Sequence, residues 1–349
     1  MRIAVIQRFL PSRLQGGVGH FTHGLCNALV ARGHAVTVFT LDPAPAGARY
    51  QVRQLRTPPW WGRFGELYGF PYLVARQDFS GFDLLHAQGD DQYLPRRRPP
   101  LVRTLHGSSW QEALHNGWRG QSPIRFAMFL SFYLLERVAA RRADRCVAVS
   151  RDTCRDYPGV NIVIPNGIDL VRFRPAPSSK SHVPSLLFVG SLEGRKRGRF
   201  LAHLFRERVR PHVPEAELWL VCRERIVGEG LRWYGTLSDE ALADLYRQAW
   251  VLCVPSTYEG FGRPYLEGLA SGTAVVATTN PGAREVLADG QYGVVVSDEH
   301  LGETLVQVLR EPDLRRRYET RGLGRARQFA WDDVARSYEA VYEQARGHA

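Results

Sequence analysis

Two glutamates, Glu259 and Glu267, lie eight residues apart in the last third of the chain. The apolar run before them, Trp250–Pro255, favours a strand that is buried on both faces of a parallel sheet. Pro264 suits the start of a helix, which we expect to end at Ser271. The sequence therefore predicts a strand, a tight turn and a helix, with one carboxylate on each side of the turn.

Such a turn is typical of a phosphate-binding site. Gly260 and Gly262 let the backbone bend sharply and approach a ligand closely. The free N–H groups at the helix start, with the positive end of its dipole, favour a phosphate or diphosphate. We place Glu267 in the first helical turn, where it accepts hydrogen bonds from ribose hydroxyls, and Glu259 at the end of the strand, where ligands of open α/β sheets bind. The alternative is that both acids only favour the helix start and face solvent.

A lysine is a second candidate, because the chain has only Lys180 and Lys196 among its 46 basic residues. Lys196 lies in the stretch Gly190–Gly198, and a compact ammonium there suits a departing diphosphate. The alternative is a solvated basic loop.

The elements that must position these residues alternate between strands and helices. This rhythm predicts doubly wound parallel sheets, and 349 residues suggest two domains. The Pro- and Ser-rich segment 175–184 predicts a linker. We expect strands at 2–6, 35–41, 84–87, 101–105, 145–149, 185–189, 218–222, 231–234, 251–254 and 274–277, and helices at about 19–33, 125–143 and 331–346.

The glutamate pair resembles the Glu-x7-Glu motif of the retaining glycosyltransferases of family four, which have the GT-B fold. Further landmarks in the same order are Gly16–Gly19, Leu105–Gly107, Ala148–Ser150, Ile164–Asp169, Phe188–Gly190 with Lys196–Gly198, Tyr234–Ser238 and Gly282–Glu285. The resemblance implies two Rossmann-like domains that face each other across a cleft. Residues 1–175 with about 330–349 are then the acceptor-binding domain, and residues 176–329 the domain that binds a nucleotide sugar.

The resemblance also implies roles for individual residues. The catalytic candidates are Glu259, Lys196 and His106, since in the family a histidine at this point contacts the donor sugar. The donor-binding candidates are Gly16, Gly17, Gly190, Ser191, Arg195, Lys196, Gly260, Phe261, Gly262, Arg263 and Glu267. Each has a simpler alternative: a single histidine is often structural, and a glycine cluster forms a tight turn without any ligand.

The chain departs from the family pattern at two of these positions. Ser191 stands where relatives carry an arginine that works on the diphosphate, so Arg195 or Arg197 is expected to supply that charge. Arg263 stands where relatives often carry an apolar residue.

Three further acids are considered for a capping role or a place in a pocket. Asp169, in the turn Asn166–Asp169, is expected to cap the residues that follow it. Glu285 and Asp91 are possible pocket acids, although acids at such positions are usually surface charges.

The net charge of +11 is carried by the first half of the chain. Residues 1–175 hold 23 arginines against 12 acids, while the remaining residues balance 23 against 23. This favours an anionic acceptor or an anionic membrane surface for the first half, or solubility alone, and we do not expect nucleic acid as a partner. The aromatic run Trp60–Val74 suits a membrane interface, an internal packing role or an acceptor groove, although its glycines and Pro71 argue against a long, regular amphipathic helix.

Composition indicates a cytoplasmic protein, either free or peripheral at the inner face of the cell membrane. The five cysteines show no C-x-x-C pair, which favours reduced core residues. Residues 2–6 suit a first strand better than a signal peptide, and the apolar run 126–135 is too short to span a membrane and is expected to be a buried helix. No metal-ligand spacing appears, so we predict no cofactor and no metal.

The sequence thus predicts a transferase that moves a hexose-type sugar from a UDP- or GDP-sugar to a glycan, glycolipid or small-molecule acceptor. Retention of configuration is implied by the resemblance, and a front-face reaction is expected because no acid declares itself as a nucleophile. Two alternatives stay open: a UDP-sugar 2-epimerase of the same fold, and a non-catalytic protein that binds lipid or nucleic acid and keeps a vestigial sugar site.

Overall fold

The computed structural model describes residues 1–11, 16–118, 122–176 and 180–347. The chain folds into two compact units. Unit 1 comprises Met1–Trp110, Ala127–Gly167 and Trp331–Ala349, and unit 2 comprises Gln111–Phe126 and Ile168–Ala330. The chain thus enters unit 2 at Ile168, before the predicted linker, and the C-terminal helix belongs to unit 1. The division of acceptor and donor binding between them stays a prediction.

Unit 1 is built on a parallel sheet whose seven described strands have the order β3-β2-β1-β4-β5-β6-β7. Its strands are β1 (Arg2–Ile6), β2 (Ala35–Thr40), β3 (Gln51–Gln54), β4 (Leu84–Ala87), β5 (Leu101–Leu105), β6 (Arg145–Ala148) and β7 (Ile162–Val163). Its helices are α1 (Gly17–Ala31), α2 (Gly62–Ala75), α3 (Ser109–Glu112), α4 (Pro123–Arg142), α5 (Arg151–Asp156) and the C-terminal α12 (Trp331–Arg346), of which α3 and α4 have an end in unit 2.

Unit 2 has a second parallel sheet, with its six described strands in the order β10-β9-β8-β11-β12-β13. The strands are β8 (Ser185–Val189), β9 (Glu217–Val221), β10 (Leu231–Trp233), β11 (Val251–Val254), β12 (Ala274–Thr278) and β13 (Val294–Val296). The helices are α6 (Gly198–Leu204), α7 (Asp239–Gln248), α8 (Arg263–Ala270), α9 (Pro281–Leu287), α10 (Asp298–Arg310) and α11 (Pro312–Ala326). Together the two sheets confirm the predicted fold class.

The buried strands are those that the apolar runs predicted, and three short ones were missed. β11 and β12 are buried at every residue, as expected for strands covered on both faces. β3 is polar and mostly exposed, β7 has two residues, and β13 is half-buried. β3 is a polar edge strand, while β7 and β13 are apolar edge strands of only two and three residues, too short to show a period.

The prediction that the apolar run 126–135 is a buried helix was wrong. α4 is a helix, but only Ala139 is buried among its described residues, and Leu134 and Val138 are exposed. The run 60–74 contains the helix α2 in spite of Pro71. Since Phe70 and Val74 are completely buried in the core of unit 1, their packing offsets the N–H group that Pro71 lacks.

The same aromatic run is divided between the interior and the surface. The Trp61 ring lies against Gly65 and Gly69, where an added Cβ would come within 2.1 Å and 1.9 Å of the Trp61 side chain. Trp60, by contrast, is 83% exposed. Glycines spaced by four residues therefore provide one helical face against which an indole packs.

No helix in the described ranges is long and apolar enough to cross a membrane.

Candidate active site

The glutamate-flanked segment joins β11 to α8 in unit 2. Gly262 precedes the helix with φ 89°, in the left-handed region, and an added Cβ would lie 2.4 Å from the Tyr265 ring. Glycine is therefore required there both by the backbone and by the space. The helix begins at Arg263 and Pro264 is its second residue, so Glu267 lies in the second helical turn, not in the first as predicted.

Glu259 is buried among positively charged groups. Its Oε1 lies 2.5 Å from Lys196 Nζ and accepts a hydrogen bond of 2.6 Å from Ser256 Oγ. Its Oε2 accepts one of 2.8 Å from Arg195 Nη1. Burial raises the pKa of Glu259, but Lys196 and Arg195 outweigh it and bring the pKa down to about 2. The alternative of a solvent-facing Glu259 is wrong, since only 5% of the residue is exposed.

Lys196 reaches this carboxylate from a short helical turn, Gly194–Lys196. Arg197 then takes a left-handed conformation, with φ 55°, before α6 begins at Gly198. Gly190 provides space, because an added Cβ would lie 3.1 Å from Lys196 Cγ. Burial lowers the pKa of Lys196, and Glu259 opposes that shift. The solvated-loop alternative is therefore wrong for Lys196.

The three other candidates of the same stretch have different surroundings. Arg195 lies at Glu259 and also donates to the Tyr258 carbonyl oxygen over 2.9 Å. Arg197 is held away by two hydrogen bonds of 2.6 Å to the Asp298 carboxylate. Ser191 is exposed, and its hydroxyl donates to the Glu193 carbonyl oxygen. Of these three, Arg195 places a second cation beside Lys196.

Glu267 is also 5% exposed and is held by one neutral and one basic donor. Tyr246 Oη donates to its Oε2 over 2.8 Å, and Arg263 Nη2 donates to its Oε1 over 2.8 Å. Arg263, the unusual residue of the motif, thus clamps the second glutamate at i,i+4. The carboxylate is fixed in direction, which suits a group that must accept hydroxyl donors.

A neighbouring helix start comes into direct contact with the glycine-rich loop. Gly282 N donates to the Glu259 carbonyl oxygen over 3.0 Å. An added Cβ on Gly282 would lie 2.6 Å from the Phe261 carbonyl oxygen and 2.7 Å from Glu259 Cβ. Phe261 is buried and Gly260 is half-buried. The Gly282–Glu285 landmark therefore has a physical reason, since only glycine permits this approach.

Sequence reasoning missed several side chains that support this loop. Asn280 caps α9 through Ala283 N and donates to the carbonyl oxygens of Ser256 and Thr278. Tyr246 lies on α7, at the end of an ordinary amphipathic pattern. Nothing in their local sequence separates these residues from core positions, so only the fold identifies them.

A segment remote in sequence completes this part of unit 2. Glu112 Oε1 lies 3.3 Å from Arg195 Nε, and the His115 ring stacks on Tyr258 at a centroid distance of 5.4 Å. The segment Gln111–Phe126 belongs to unit 2, although the residues on either side of it belong to unit 1. No local pattern in the sequence indicates that this segment belongs to unit 2 while its neighbours belong to unit 1.

His106 follows β5 in unit 1 and is held by a chain of hydrogen bonds. Its Nε2 lies 2.7 Å from Gln88 Oε1, so this nitrogen carries the proton, and Gln88 Nε2 in turn lies 3.1 Å from His86 Nε2. Burial, with a smaller contribution from Arg103, lowers the pKa of His106 to about 3. The imidazole is therefore neutral near pH 7, and its contact with a sugar stays a prediction.

The glycines of the first turn, also in unit 1, have unequal surroundings. Gly16 is the N-cap of α1, and an added Cβ would meet nothing within 4 Å. Gly17 is the first helical residue, and at Gly19 an added Cβ would lie 2.8 Å from the Phe9 carbonyl oxygen. Close packing therefore requires glycine at Gly19 but not at Gly16. The ligand role of Gly16 and Gly17 stays a prediction.

A cavity of about 290 Å³ opens where β1 and β4 end in unit 1. Polar residues Gln7, Arg8, Gln88, Asp90 and Glu136 contribute to its wall, with Tyr68, Phe132 and Leu135 as apolar partners. Arg8 forms an ion pair with Asp90, which has the left-handed φ of 62°. A residue other than glycine in this conformation is strained, and such strain is often found at ligand sites.

Two acids near this cavity are buried. Asp91, considered as a surface charge above, is 4% exposed and forms an ion pair with the buried Arg103. Glu136 accepts hydrogen bonds from Ser109 Oγ, over 2.9 Å, and from Tyr157 Oη. Burial raises the pKa of Glu136 and outweighs the opposite effect of Arg103.

The remaining predicted acids have structural surroundings. Asp169 Oδ1 accepts hydrogen bonds of 3.0 Å from Val171 N and Arg172 N, which confirms the predicted cap. Glu285 is half-buried in α9. Within the described ranges, no three histidines, cysteines or acids are grouped as a metal site.

Comparison with known proteins gives two family matches that together cover most of the chain. Residues 15–172 match Glycosyltransferase Family 4, and residues 183–311 match Glycosyl transferases group 1. A phosphatidyl-myo-inositol mannosyltransferase of Mycobacterium tuberculosis is 30% identical, over 99% of this chain and 98% of its own. An MMP alpha-(1->4)-mannosyltransferase of Mycolicibacterium hassiacum is 28% identical, with the same shares covered.

Among solved structures, the sucrose-phosphate synthase of Thermosynechococcus elongatus has a TM-score of 0.85. It is 21% identical in sequence, and 100% of each chain is covered. At this identity the similarity establishes the fold alone.

Proposed function

Because this chain belongs to the family 4, group 1 glycosyltransferases and has their GT-B fold, we propose that its donor is a nucleoside diphosphate sugar. The sugar is a hexose, the nucleotide is UDP or GDP, and the anomeric configuration is retained. The acceptor is a glycan, a glycolipid or a small molecule. Family membership itself makes the chain a glycosyltransferase. The identities of the sugar, the nucleotide and the acceptor are what we propose.

One observation carries the donor side: Lys196 and Arg195 converge on Glu259 beside the start of α8. Two cations and the N–H groups of a helix start form a positive region that favours a diphosphate. Glu259 balances those cations before the ligand arrives, which keeps them in place. We propose that Arg195 supplies the charge that Ser191 lacks, since Arg197 is held by Asp298.

The proposed reaction takes place on one face of the sugar. The bond from the anomeric carbon to the diphosphate oxygen breaks as the bond to the acceptor oxygen forms, and the acceptor proton passes to the departing phosphate oxygen. Lys196, Arg195 and the backbone N–H groups stabilise the charge that develops on the diphosphate. Glu259 is a poor nucleophile, because three donors already occupy its oxygens and its pKa is about 2. A trapped covalent glycosyl-enzyme would overturn this mechanism.

We propose that Lys196 and Arg195 neutralise the departing diphosphate without the help of a divalent metal ion. Their positive charges are already present at the site, and a metal ion would perform the same neutralisation.

The acceptor is proposed to bind in the 290 Å³ cavity of unit 1. Its volume is at the lower limit of small-molecule sites, so it suits one sugar or cyclitol ring and not a longer chain. Arg8, Gln7 and Gln88 provide hydrogen-bonding groups, and the aromatic wall suits the apolar face of a ring. A relative named for transfer to phosphatidyl-myo-inositol is consistent with a ring of this size.

The test of the donor site replaces Lys196 by methionine, which keeps the stem and removes the charge. Sugar transfer from the preferred donor, measured with EDTA present, is expected to show a kcat lowered by about 10²- to 10³-fold. The control is Arg199→Met, because Arg199 is an exposed cation that follows the same turn. Equal kcat values in the two variants would contradict the role of Lys196.

We further propose that the enzyme works at an anionic membrane surface, through the exposed aromatic side chains beside α2. Trp60 is 83% and Tyr72 50% exposed, in the unit that carries much of the excess positive charge. Trp60→Ser is expected to weaken co-sedimentation with vesicles that contain phosphatidylglycerol. Trp118→Ser is the control, since Trp118 is also exposed, at 73%, but lies in unit 2. Equal retention of both variants on the vesicles would argue against this location.

A further inference from the structure

A second cavity of unit 1 lies apart from the carboxyl edge of its sheet. It has a volume of about 630 Å³ and is lined by the end of α4, the start of β6 and the turn 157–161 that leads into β7. Because β6 and β7 are parallel, these segments meet at their amino ends. Ligands of the proposed reaction are expected at the opposite edge, so the reaction leaves this cavity unexplained.

Three arginines, Arg137, Arg141 and Arg145, line this cavity against one acid, Asp144. The acid is already engaged, because Asp144 Oδ2 accepts hydrogen bonds of 2.8 Å from Arg98 Nη1 and 2.7 Å from Leu101 N. Arg98 is not part of the cavity wall. The positive charge of the wall is therefore not balanced by its own carboxylate.

Two of these arginines have charge to offer a ligand. Within the described ranges, neither Arg137 nor Arg141 forms an ion pair, and the Arg137 guanidinium lies over the Tyr133 ring at 5.7 Å from its centroid. Arg145 Nη1 donates to the Asp144 carbonyl oxygen over 2.8 Å, which fixes that side chain along the start of β6. Arg137 and Arg141 are four residues apart on α4, so they lie on the same face of the helix, and both line the cavity.

The rest of the wall suits a small polar ligand. Asn161 and Gln344 add amide groups, while Ala140, Val160 and Ile162 add apolar surface. The Cys146 thiol is not a reactive group here, because burial raises its pKa to about 11 and it donates to the Ala140 carbonyl oxygen. A volume of this size is ample for a phosphorylated metabolite and much larger than a bare ion needs.

We propose that this cavity is a second binding site, specific for a phosphate ester, whose phosphate is held by Arg137 and Arg141. The site is separate from the donor site, which lies in unit 2. It also differs from the acceptor cavity, although the two are lined by adjacent residues of α4, Arg137 here and Glu136 there. The phosphate belongs either to a soluble ester or to a lipid headgroup, since exposed Leu134 and Val138 lie on the same stretch of helix.

The test compares two double variants of equal net charge. Arg137→Gln/Arg141→Gln removes the proposed phosphate ligands. Arg49→Gln/Arg56→Gln removes two exposed arginines elsewhere in unit 1. Pyrophosphate binding is measured by calorimetry at fixed ionic strength, and thermal unfolding checks that both variants fold. Any diphosphate binding in unit 2 is common to all the proteins, so a difference between the variants reports on the cavity.

We expect the cavity variant to bind pyrophosphate about tenfold or more weakly than the wild type and the control variant. A crystal soaked with tungstate is expected to show anomalous density between the two guanidinium groups. If pyrophosphate binding is unchanged but retention on phosphatidic acid vesicles is lost in the cavity variant alone, the phosphate is that of a lipid. If neither measurement separates the two variants, the proposal is wrong.

Discussion

At the scale of single residues, the site depends on a carboxylate that is stabilised by two cations. Glu259 is buried, which by itself disfavours its charge, and Lys196 and Arg195 make the ionised form stable. The arrangement is mutual, because an unpaired lysine and arginine would be equally costly to bury. Replacing Glu259 leaves Lys196 and Arg195 without its carboxylate.

This pairing predicts a pH-dependent contribution to stability. The pKa of Glu259 is lowered in the folded protein to about 2, so the unfolded chain takes up the proton first as the pH falls. The stabilisation is complete above the unfolded pKa of about 4.5 and disappears as the pH falls towards 2. The free energies of unfolding of wild type and Glu259→Gln, measured by denaturant, should differ by about 3 kcal/mol at pH 6. That difference should shrink towards zero in acid.

The control for this series is Glu193→Gln, whose carboxylate is 70% exposed. It should remain close to the wild type at every pH, because an exposed ion pair contributes little. A Glu259→Gln difference that is the same at pH 6 and pH 3 would contradict the ionised, cation-paired state.

The residue types of the site could be predicted from the sequence, but their partners could not. Glu259, Glu267 and Lys196 stand out by spacing and by the rarity of lysine. Tyr246, Ser256 and Glu112 reach the site from other elements or positions, and no local pattern marks them. The ion pair of Asp91 could not be predicted for the same reason, since its partner Arg103 lies on β5.

At the scale of elements, glycines set the distances within the site. Gly190 leaves space for the stem of Lys196, and Gly282 lets the start of α9 contact the loop that carries Glu259. Both belong to landmarks that the sequence revealed, yet their purpose depends on neighbours that only the fold supplies. Buried strands were predictable, because apolar runs determine them, whereas of the described edge strands only β10 was predicted.

Gly282→Ala is expected to impair both activity and stability. Its methyl group would lie 2.6 Å from the Phe261 carbonyl oxygen, so the loop with Glu259 must move. We expect kcat/KM for sugar transfer to fall at least about tenfold, and the unfolding free energy to fall by about 1–3 kcal/mol. These values are measured by steady-state kinetics and by denaturant unfolding.

Gly324→Ala provides the comparison, since an added Cβ there meets nothing within 4 Å. Because it lies within α11, this variant should keep full activity and gain up to about 1 kcal/mol of stability. Wild-type kinetics in Gly282→Ala would show that close contact between α9 and the loop is not needed.

The other lysine is explained at this scale as well. Lys180 Nζ donates to the carbonyl oxygens of Ala249, over 2.7 Å, and Gly272, over 3.0 Å, just beyond the ends of α7 and α8. A cation is favourable at a helix C-terminus, and three rotatable N–H donors satisfy several carbonyls at once. Lys180 therefore has a structural role, although the segment that contains it was predicted to be a linker.

At the scale of the whole molecule, charge and chemistry are unevenly distributed. The positive excess lies within residues 1–175, which contain the proposed acceptor cavity and most of the arginine-lined cavity, whereas the later residues are balanced and contain the glutamate pair. The sum of charges was evident in the sequence. The distribution of these charges among the cavities was not evident, because arginines that line one cavity come from separate elements.

The central claim is that unit 2 binds a nucleoside diphosphate through the motif that contains Glu267. The most direct measurement is calorimetric binding of UDP, GDP and ADP to the wild type and to Glu267→Ala, with EDTA present throughout. Glu303→Ala, an exposed substitution on α10, is the control. We predict tight binding of one nucleotide, weakened about tenfold or more in Glu267→Ala alone. Failure of every nucleotide to bind, or equal affinities in both variants, would contradict the account.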